Sequence, residues 1–312
     1  MILSASRRTD IPAYYSDWFF NRVKEGYALV RNPMNAHQIS RIRINPDVVD
    51  GIVFWTKNPA PMLARLNELK DYMYYFQYTI TPYGKDVEPN IPSKTGAILP
   101  TFKRLSELVG PDRMVWRYDP ILISQRYSMS YHLHAFEKIA AELHSFTKKV
   151  TISFIDVDYK GVKSNIKELA LLPFPVEDQI QLSSKLAEIA HGYGLVIDTC
   201  AEAIDLSRIG IEHARCIDDR LFSKLLCCSI KADKDKNQRS VCGCMASIDI
   251  GVYNSCTNGC LYCYANYIKT VVARNFEQHN PLSPLLLGEV GESDKISDRA
   301  MKSYKDAQVG FL

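Results

Sequence analysis

The sequence lacks the features of secreted and membrane-spanning proteins. Its first residues show no basic segment followed by an apolar one, and no run of about 18 apolar residues occurs in the chain. We therefore expect a cytoplasmic protein that neither crosses a membrane nor has a membrane partner.

Motifs of several enzyme classes are also missing. The chain has no Gly-rich phosphate loop of the Walker or dinucleotide type, no Gly-x-Ser-x-Gly, and no histidine pair spaced as in zinc proteases. Charge is nearly balanced, with 38 basic against 35 acidic residues and a net charge of +3. This balance argues against a strongly electrostatic nucleic-acid binder, although a local basic patch remains compatible with it.

The pattern of apolar runs predicts the fold. Eight short runs rich in β-branched and aromatic residues alternate with amphipathic helical segments in a chain of 312 residues. The runs are Met1–Ala5, Ala28–Arg31, Gly51–Trp55, Met73–Ile80, Met114–Tyr118, Val150–Ile155, Leu195–Thr199 and Ile248–Tyr253. Because these strands are apolar throughout, they indicate a parallel α/β sheet buried on both faces, and eight units predict a TIM-like (β/α) barrel.

The domain organisation follows from the same pattern. We predict a single barrel-like domain over residues 1–274, which includes a cysteine-rich segment at 240–266, followed by an irregular C-terminal tail at 275–312. The charged stretch Lys231–Arg239 has no apolar periodicity and is predicted to be a solvated loop.

Three of the nine cysteines lie close together, in the run Cys256-Thr-Asn-Gly-Cys260-Leu-Tyr-Cys263. A chain of this cysteine content would contain such a triplet by chance only about once in a hundred cases. Thiolates are soft ligands that select zinc or iron–sulfur clusters. A structural zinc needs a fourth protein ligand whereas a cluster can leave one iron open, so the triplet fits a cluster better.

The motif C-x3-C-x-aromatic-C resembles the cluster loop of radical S-adenosylmethionine enzymes. The resemblance implies that Cys256, Cys260 and Cys263 hold a [4Fe-4S] cluster and that Tyr262 contacts the cofactor S-adenosylmethionine. It also implies one-electron reduction of the cofactor to a 5′-deoxyadenosyl radical, with a reductant such as flavodoxin or ferredoxin as a partner.

Most of the chain resembles a bacterial family of unassigned function that has such a cysteine cluster at its C-terminus. The residues that carry this resemblance are Ser4–Pro12 and the segment from Cys242-Gly-Cys244 to Asp249-Ile-Gly-Val-Tyr253. Radical S-adenosylmethionine enzymes usually place the cluster loop after the first barrel strand. We therefore predict a circular permutation, in which Ile248–Tyr253 neighbours Met1–Ala5 and Ala265–Arg274 is the following helix.

Four further cysteines, Cys200, Cys216, Cys242 and Cys244, have spacings that allow a second cluster or a zinc site. The alternative is that Cys200 and Cys216 are ordinary buried thiols. The remaining pair, Cys227 and Cys228, is flanked by leucines and is predicted to pack in the core.

Polar residues that follow the apolar runs are candidates for the substrate pocket, because active sites of such barrels form at the carboxyl ends of the strands. The candidates are Arg7, Arg8, Asp10, Lys57, Arg117 and Asp119. Guanidinium groups suit carboxylate or phosphate, so the unknown substrate is expected to be a phosphate-bearing molecule or a nucleic acid. Equally, Arg7 with Asp10 and Arg117 with Asp119 can be ion pairs that brace the barrel.

The sequence thus favours an iron–sulfur enzyme of the radical S-adenosylmethionine type. The alternative is a non-catalytic metalloprotein in which zinc or a fully ligated cluster has a structural or electron-transfer role. A fourth ligand from Cys242, Cys244 or Asp249 at the triplet would favour that alternative.

Overall fold

The computed structural model describes residues 1–239 and 241–306, and its largest feature is an eight-stranded parallel sheet. The strands of the described residues are β1 (Ile2–Ala5), β2 (Tyr27–Asn32), β3 (Asn35–Arg43), β4 (Gly51–Thr56), β5 (Tyr74–Thr79), β6 (Met114–Ile121), β7 (Lys149–Phe154), β8 (Val196–Thr199), β9 (Glu212–His213), β10 (Ser247–Asp249) and β11 (Lys295–Asp298). The order in the main sheet is β10-β1-β4-β5-β6-β7-β8-β9. This order confirms the predicted α/β class with a large parallel sheet.

Helices occupy most connections between these strands. They are α1 (Ile11–Tyr14), α2 (Ser16–Glu25), α3 (Leu99–Val109), α4 (Met129–Leu143), α5 (Lys160–Ser164), α6 (Ile166–Leu169), α7 (Val176–Gly192), α8 (Asp219–Leu226) and α9 (Lys269–Glu277). No helix of residues 1–239 and 241–306 is long and apolar enough to span a membrane.

Both faces of the sheet are buried, which explains why its strands are apolar throughout. Phe54 and Phe76 stack at a ring distance of 4.9 Å in the large core on one face, which also contains apolar residues of the helices. On the opposite face Val53 and Tyr75 pack with Phe222 of α8, whose ring centre lies 5.0 Å from that of Tyr75. Helix α8 therefore covers part of this opposite face.

The two edges of the main sheet are β9 and β10. Within the described residues these strands are not paired with each other, although a backbone hydrogen bond of 3.1 Å runs from Met245 N to Ile217 O. Met245 lies just before β10 and Ile217 just after β9. The two edges therefore approach each other at the ends of these strands, and we call this region the seam.

One predicted strand of the main sheet is placed elsewhere. Strand β2, predicted over Ala28–Arg31, belongs to a separate three-stranded sheet of order β11-β3-β2 and pairs antiparallel with β3. The prediction was wrong because only two residues separate β2 from β3, a connection that suits a hairpin and is too short for a parallel crossover. Strand β9, only two residues long, was not predicted.

The last predicted strand is shorter than its apolar run. Strand β10 ends at Asp249 instead of continuing to Tyr253, and it pairs with β1 as expected. A Cβ atom at Gly251 would lie 2.0 Å from Ser6 Oγ, so a side chain has no room where the chain leaves the strand. The following helix begins at Lys269, not at Ala265.

The segment predicted as an irregular tail contains regular structure. It holds the end of α9 and all of β11, which pairs with β3. Residues 307–312 lie outside the described residues. The division into a barrel-like domain and a tail stays a prediction.

Candidate functional site

A cavity of about 530 Å³ lies at the carboxyl ends of the parallel strands. Its walls come from the carboxyl ends of β4, β5, β6 and β7, from the segments that follow β1, β4, β7 and β8, and from the cysteine-rich region. Its lining includes every candidate site residue named from the sequence, namely Arg7, Arg8, Asp10, Lys57, Arg117, Asp119, Tyr262, Cys200, Cys216, Cys242, Cys244, Cys256, Cys260 and Cys263. The volume is in the range of small-molecule and cofactor sites.

The triplet Cys256, Cys260 and Cys263 forms one wall of this cavity. Asn266 Oδ1 accepts hydrogen bonds from the backbone N of Ser255 at 2.7 Å and of Cys256 at 2.8 Å, and thereby fixes the start of the loop. At the other end, a Cβ atom at Gly161 would lie 2.4 Å from the carbonyl oxygen of Cys263. Helix α5 thus packs directly on the loop backbone.

The triplet thiols are largely shielded from solvent. Cys256 and Cys260 are buried and Cys263 is half-buried. Burial raises the pKa of Cys260 to about 12 and that of Cys256 well above its usual range. Metal binding here would have to release protons, as it does for thiol ligands in general.

Asp249, one candidate for a fourth ligand at the triplet, is engaged by other groups. Both oxygens of Asp249 are already engaged, Oδ1 with Ser6 Oγ and Gly251 N and Oδ2 with Ser4 Oγ and Arg7 N, at 2.6–2.9 Å. Asp249 therefore holds in place the segment that directly follows β1.

Single-ion coordination is not in place at any cysteine group. In the part of the chain that the structure describes, no three or more His, Cys, Asp or Glu side chains are arranged to hold a metal ion. The triplet thiols are also not hydrogen-bonded to one another there. A [4Fe-4S] cluster spreads its irons over a cube, so its cysteine ligands need not converge on one point.

Tyr262, the predicted cofactor contact, belongs to a buried charged network. Its hydroxyl donates a hydrogen bond to Glu88 Oε1, which also accepts from Lys57 Nζ at 2.8 Å and Thr81 Oγ1 at 2.7 Å. Lys94 pairs with the other oxygen of Glu88. Burial alone would raise the pKa of Glu88, but the ammonium groups of Lys57 and Lys94 hold it at about 2. The charge of Lys57 is thus balanced by Glu88. The sequence did not point to Glu88, because this residue follows no apolar run.

Within residues 1–239 and 241–306, Asp10 forms no ion pair with an arginine, contrary to the pair of Arg7 and Asp10 that the sequence offered as an alternative. Its side chain caps α1 by accepting from Ala13 N at 3.1 Å, and it accepts from Lys57 N at 2.7 Å. Burial raises the pKa of Asp10 to about 6. The residue holds two strand ends together at the edge of the cavity.

The two neighbouring arginines differ in their partners. Arg7 forms an ion pair of 3.2 Å with Asp235, which is buried although the sequence predicted its segment to be a solvated loop. Arg8 has no ion pair among the described residues; it lies 5.1 Å from the ring centre of Tyr253 and donates to Gly251 O at 3.4 Å. Arg8 is therefore a cation of the cavity wall that a ligand anion could approach.

The predicted pair of Arg117 and Asp119 is formed. The guanidinium binds the carboxylate, which also accepts a hydrogen bond from Ser153 Oγ. Arg117 Nη1 in addition donates to Cys216 Sγ at 3.0 Å. This arginine thus connects the floor of the cavity to a second group of cysteines.

The second group consists of Cys200, Cys216, Cys242 and Cys244. The Sγ atoms of Cys200 and Cys216 are 3.2 Å apart, and the thiol of Cys244 interacts with those of Cys216 and Cys242. We call these four residues the quartet. Cys227 and Cys228 lie apart at the end of α8, and Cys227 is exposed, so the predicted core packing of this residue is wrong.

These observations define an α/β protein with a parallel sheet and two groups of cysteines in one cavity at its strand ends. Residues 2–265 match a family described as a domain of unknown function, DUF1848, and the chain belongs to this family.

Other comparisons add little. No curated protein matches the chain. Among solved structures, the EAL domain of FimX from Xanthomonas citri in complex with c-diGMP is 11% identical, with 64% of this chain and 87% of that chain covered. Its TM-score is 0.21, a similarity that carries no argument about fold or function.

Proposed function

We propose that this protein is a radical S-adenosylmethionine-like enzyme whose [4Fe-4S] cluster is held by Cys256, Cys260 and Cys263. One observation supports the proposal above the others: these three thiols share a wall of one cofactor-sized cavity, and both oxygens of Asp249, a candidate fourth ligand, are engaged by other groups. A cluster held by three cysteines keeps one iron open for a cofactor.

We further propose that the sheet is a TIM-like (β/α) barrel, circularly permuted relative to radical S-adenosylmethionine barrels. The support is the position of β10, which precedes the triplet in the chain and lies beside β1 in the sheet. The triplet loop then follows a strand at one end of the strand order of the main sheet, as the cluster loop of radical S-adenosylmethionine enzymes follows the first barrel strand.

A cluster in this position would supply the electron that cleaves S-adenosylmethionine to methionine and a 5′-deoxyadenosyl radical, which removes hydrogen from substrate. Flavodoxin or ferredoxin is the proposed reductant. The chain's own contribution is to orient ligands and to exclude water. Tyr262 is held by Glu88 and faces the cavity, and the buried walls around the triplet limit side reactions of a radical.

The substrate is proposed to carry phosphate or carboxylate groups, with nucleic acid as one source of phosphate. Arg8 supports this proposal because it lines the cavity and has no ion pair among the described residues. We expect Arg8→Gln to weaken binding of a short oligonucleotide about tenfold, since a charged hydrogen bond contributes about 1.5 to 3 kcal/mol. Binding measured by fluorescence anisotropy should not change in Arg126→Gln, which alters an exposed arginine.

The main test is anaerobic electron paramagnetic resonance of the protein reconstituted with iron and sulfide and then reduced. We expect a [4Fe-4S] signal that changes when S-adenosylmethionine is added, together with release of 5′-deoxyadenosine. A cluster signal that does not respond to the cofactor would contradict the proposal and favour the electron-transfer alternative. The matched control is Cys228→Ser, since Cys228 lies outside the cavity wall.

A further inference from the structure

The quartet is assembled from three separate segments at the seam. Cys200 follows β8, Cys216 follows β9, and Cys242 and Cys244 precede β10. Strands β8 and β9 end the sheet on one side, and β10 ends it on the other. The four thiols therefore meet where the two edges of the sheet come together.

Neighbouring backbone contacts hold the same place. Ile217 N donates to Cys244 Sγ at 3.5 Å, and Met245 N donates to Ile217 O at 3.1 Å. From inside the sheet, Tyr75 and Gln77 both donate to the carbonyl oxygen of Cys216, at 2.7 and 2.8 Å. The backbone at Cys216 and Ile217 is thus fixed in part by hydrogen bonds that involve no thiol.

We propose that Cys200, Cys216, Cys242 and Cys244 form a second metal centre, a mononuclear tetrathiolate site for Zn²⁺ that joins the two edges of the sheet. This inference does not depend on the proposed radical chemistry. Four thiolates are the ligand set of a closed structural zinc site.

Sulfur spacing favours one ion over a cluster at the quartet. Tetrahedral Zn–S bonds of about 2.3 Å place neighbouring sulfurs about 3.8 Å apart. The contact between Cys200 and Cys216, at 3.2 Å, is of this scale, and the thiol of Cys244 lies near those of Cys216 and Cys242. A cubane cluster would push its cysteine ligands much farther apart, since iron and sulfide lie between them.

The thiols as they stand form a chain of pairwise contacts and do not converge on one point. Protonated thiols arrange in this way because each S–H is donated to one neighbour. Metal binding replaces these protons, and rotation of the side chains can then bring the sulfurs around one ion. Four thiolates and Zn²⁺ together carry a net charge of −2. Arg117 donates a hydrogen bond to Cys216 Sγ at 3.0 Å and so places a permanent positive charge beside this site.

The test measures metal content in a full-length triplet variant, Cys256→Ser with Cys260→Ser and Cys263→Ser. We expect one zinc per chain after purification, and a fall to below about a tenth when Cys242→Ser and Cys244→Ser are added. The pair Cys227→Ser and Cys228→Ser, which replaces two cysteines outside both groups, should retain the zinc. The proposal would be overturned if the triplet variant, with its quartet intact, held only background zinc, or if it held iron and sulfide in place of zinc.

A second measurement uses the unaltered protein and does not depend on the folding of variants. Native alkylation followed by mass spectrometry should leave the four quartet thiols unlabelled until a zinc chelator is added, while the exposed Cys227 reacts at once. Quartet labelling that does not change with chelator would overturn the proposal. A protein that holds zinc but does not respond to S-adenosylmethionine would contradict only the proposed function. A protein that cleaves S-adenosylmethionine but holds no zinc at the quartet would contradict only this inference.

Discussion

The two cysteine groups of this protein share a cavity but are built in opposite ways. The triplet comes from one loop, Cys256 to Cys263, whose shape is set by the side chain of Asn266 and by the packing of α5. The quartet comes from three segments, and the Sγ atoms of Cys200 and Cys216 in it are 3.2 Å apart. The loop brings three cysteines together through local sequence, whereas the seam brings four together from segments next to the two edge strands of the sheet.

The difference has a chemical consequence. Three thiols in one loop suit a reactive centre with an open coordination position, and four thiols linked by pairwise contacts suit a closed structural one. Substitutions in the triplet should therefore abolish the proposed activity, and substitutions in the quartet should lower the free energy of unfolding. The predictions below test this division.

The largest expected effect is that of Cys260→Ser on the proposed chemistry. A hydroxyl is a poor ligand for iron compared with a thiolate, so reconstituted iron and release of 5′-deoxyadenosine should fall by more than about a hundredfold. Thermal unfolding and zinc content should change little. The comparison would fail if Cys242→Ser lost cluster iron as completely as Cys260→Ser.

Loss of the quartet should reduce stability. We expect Cys242→Ser, or a zinc chelator on the unaltered protein, to lower the free energy of unfolding on the order of 3 kcal/mol, because metal binding adds to folding. Urea unfolding followed by circular dichroism measures this. An equal loss in Cys228→Ser would mean that the effect is not specific to the quartet.

Low pH should weaken the charged network of Glu88, Lys57 and Lys94, which Tyr262 of the triplet loop joins through its hydroxyl. The native pKa of Glu88 is about 2, below its usual value, so its stabilising contribution is complete above about pH 4.5 and is lost as the pH falls toward 2. The total loss amounts to about 3 kcal/mol. Urea unfolding at pH values from about 3 to 6 should show this component, and Glu88→Gln should lack it. The exposed Glu25→Gln should retain the full dependence.

The smallest expected effect is that of Gly161→Ala, which tests local support of the triplet loop. The new Cβ would meet the carbonyl oxygen of Cys263 at 2.4 Å, so the loop must shift, at a cost of about 1 to 2 kcal/mol. We expect reduced cluster retention with unchanged zinc content. Gly192→Ala is the matched control, since nothing lies within 4 Å of a Cβ atom there. Equal cluster retention in the two variants would show that α5 does not support the loop.

Much of the cavity could be predicted from the sequence. Arg8 and Lys57 follow apolar runs, Arg117 lies near the end of one, and the carboxyl ends of parallel strands share one edge, so these residues reach the same cavity. Their partners could not be predicted in the same way. Glu88 and Asp235 lie in loops, and which cation each one meets depends on how those loops pack.

The sequence by itself determined the triplet, because spacings of four and three residues keep Cys256, Cys260 and Cys263 within one short loop. It also determined the parallel sheet, because apolar strands that alternate with helices can be buried on both faces only in this way. Only the tertiary structure decided that β2 leaves the main sheet and that Cys200, Cys216, Cys242 and Cys244 meet. Contacts between distant segments follow from the order and curvature of the whole sheet, which no local pattern encodes.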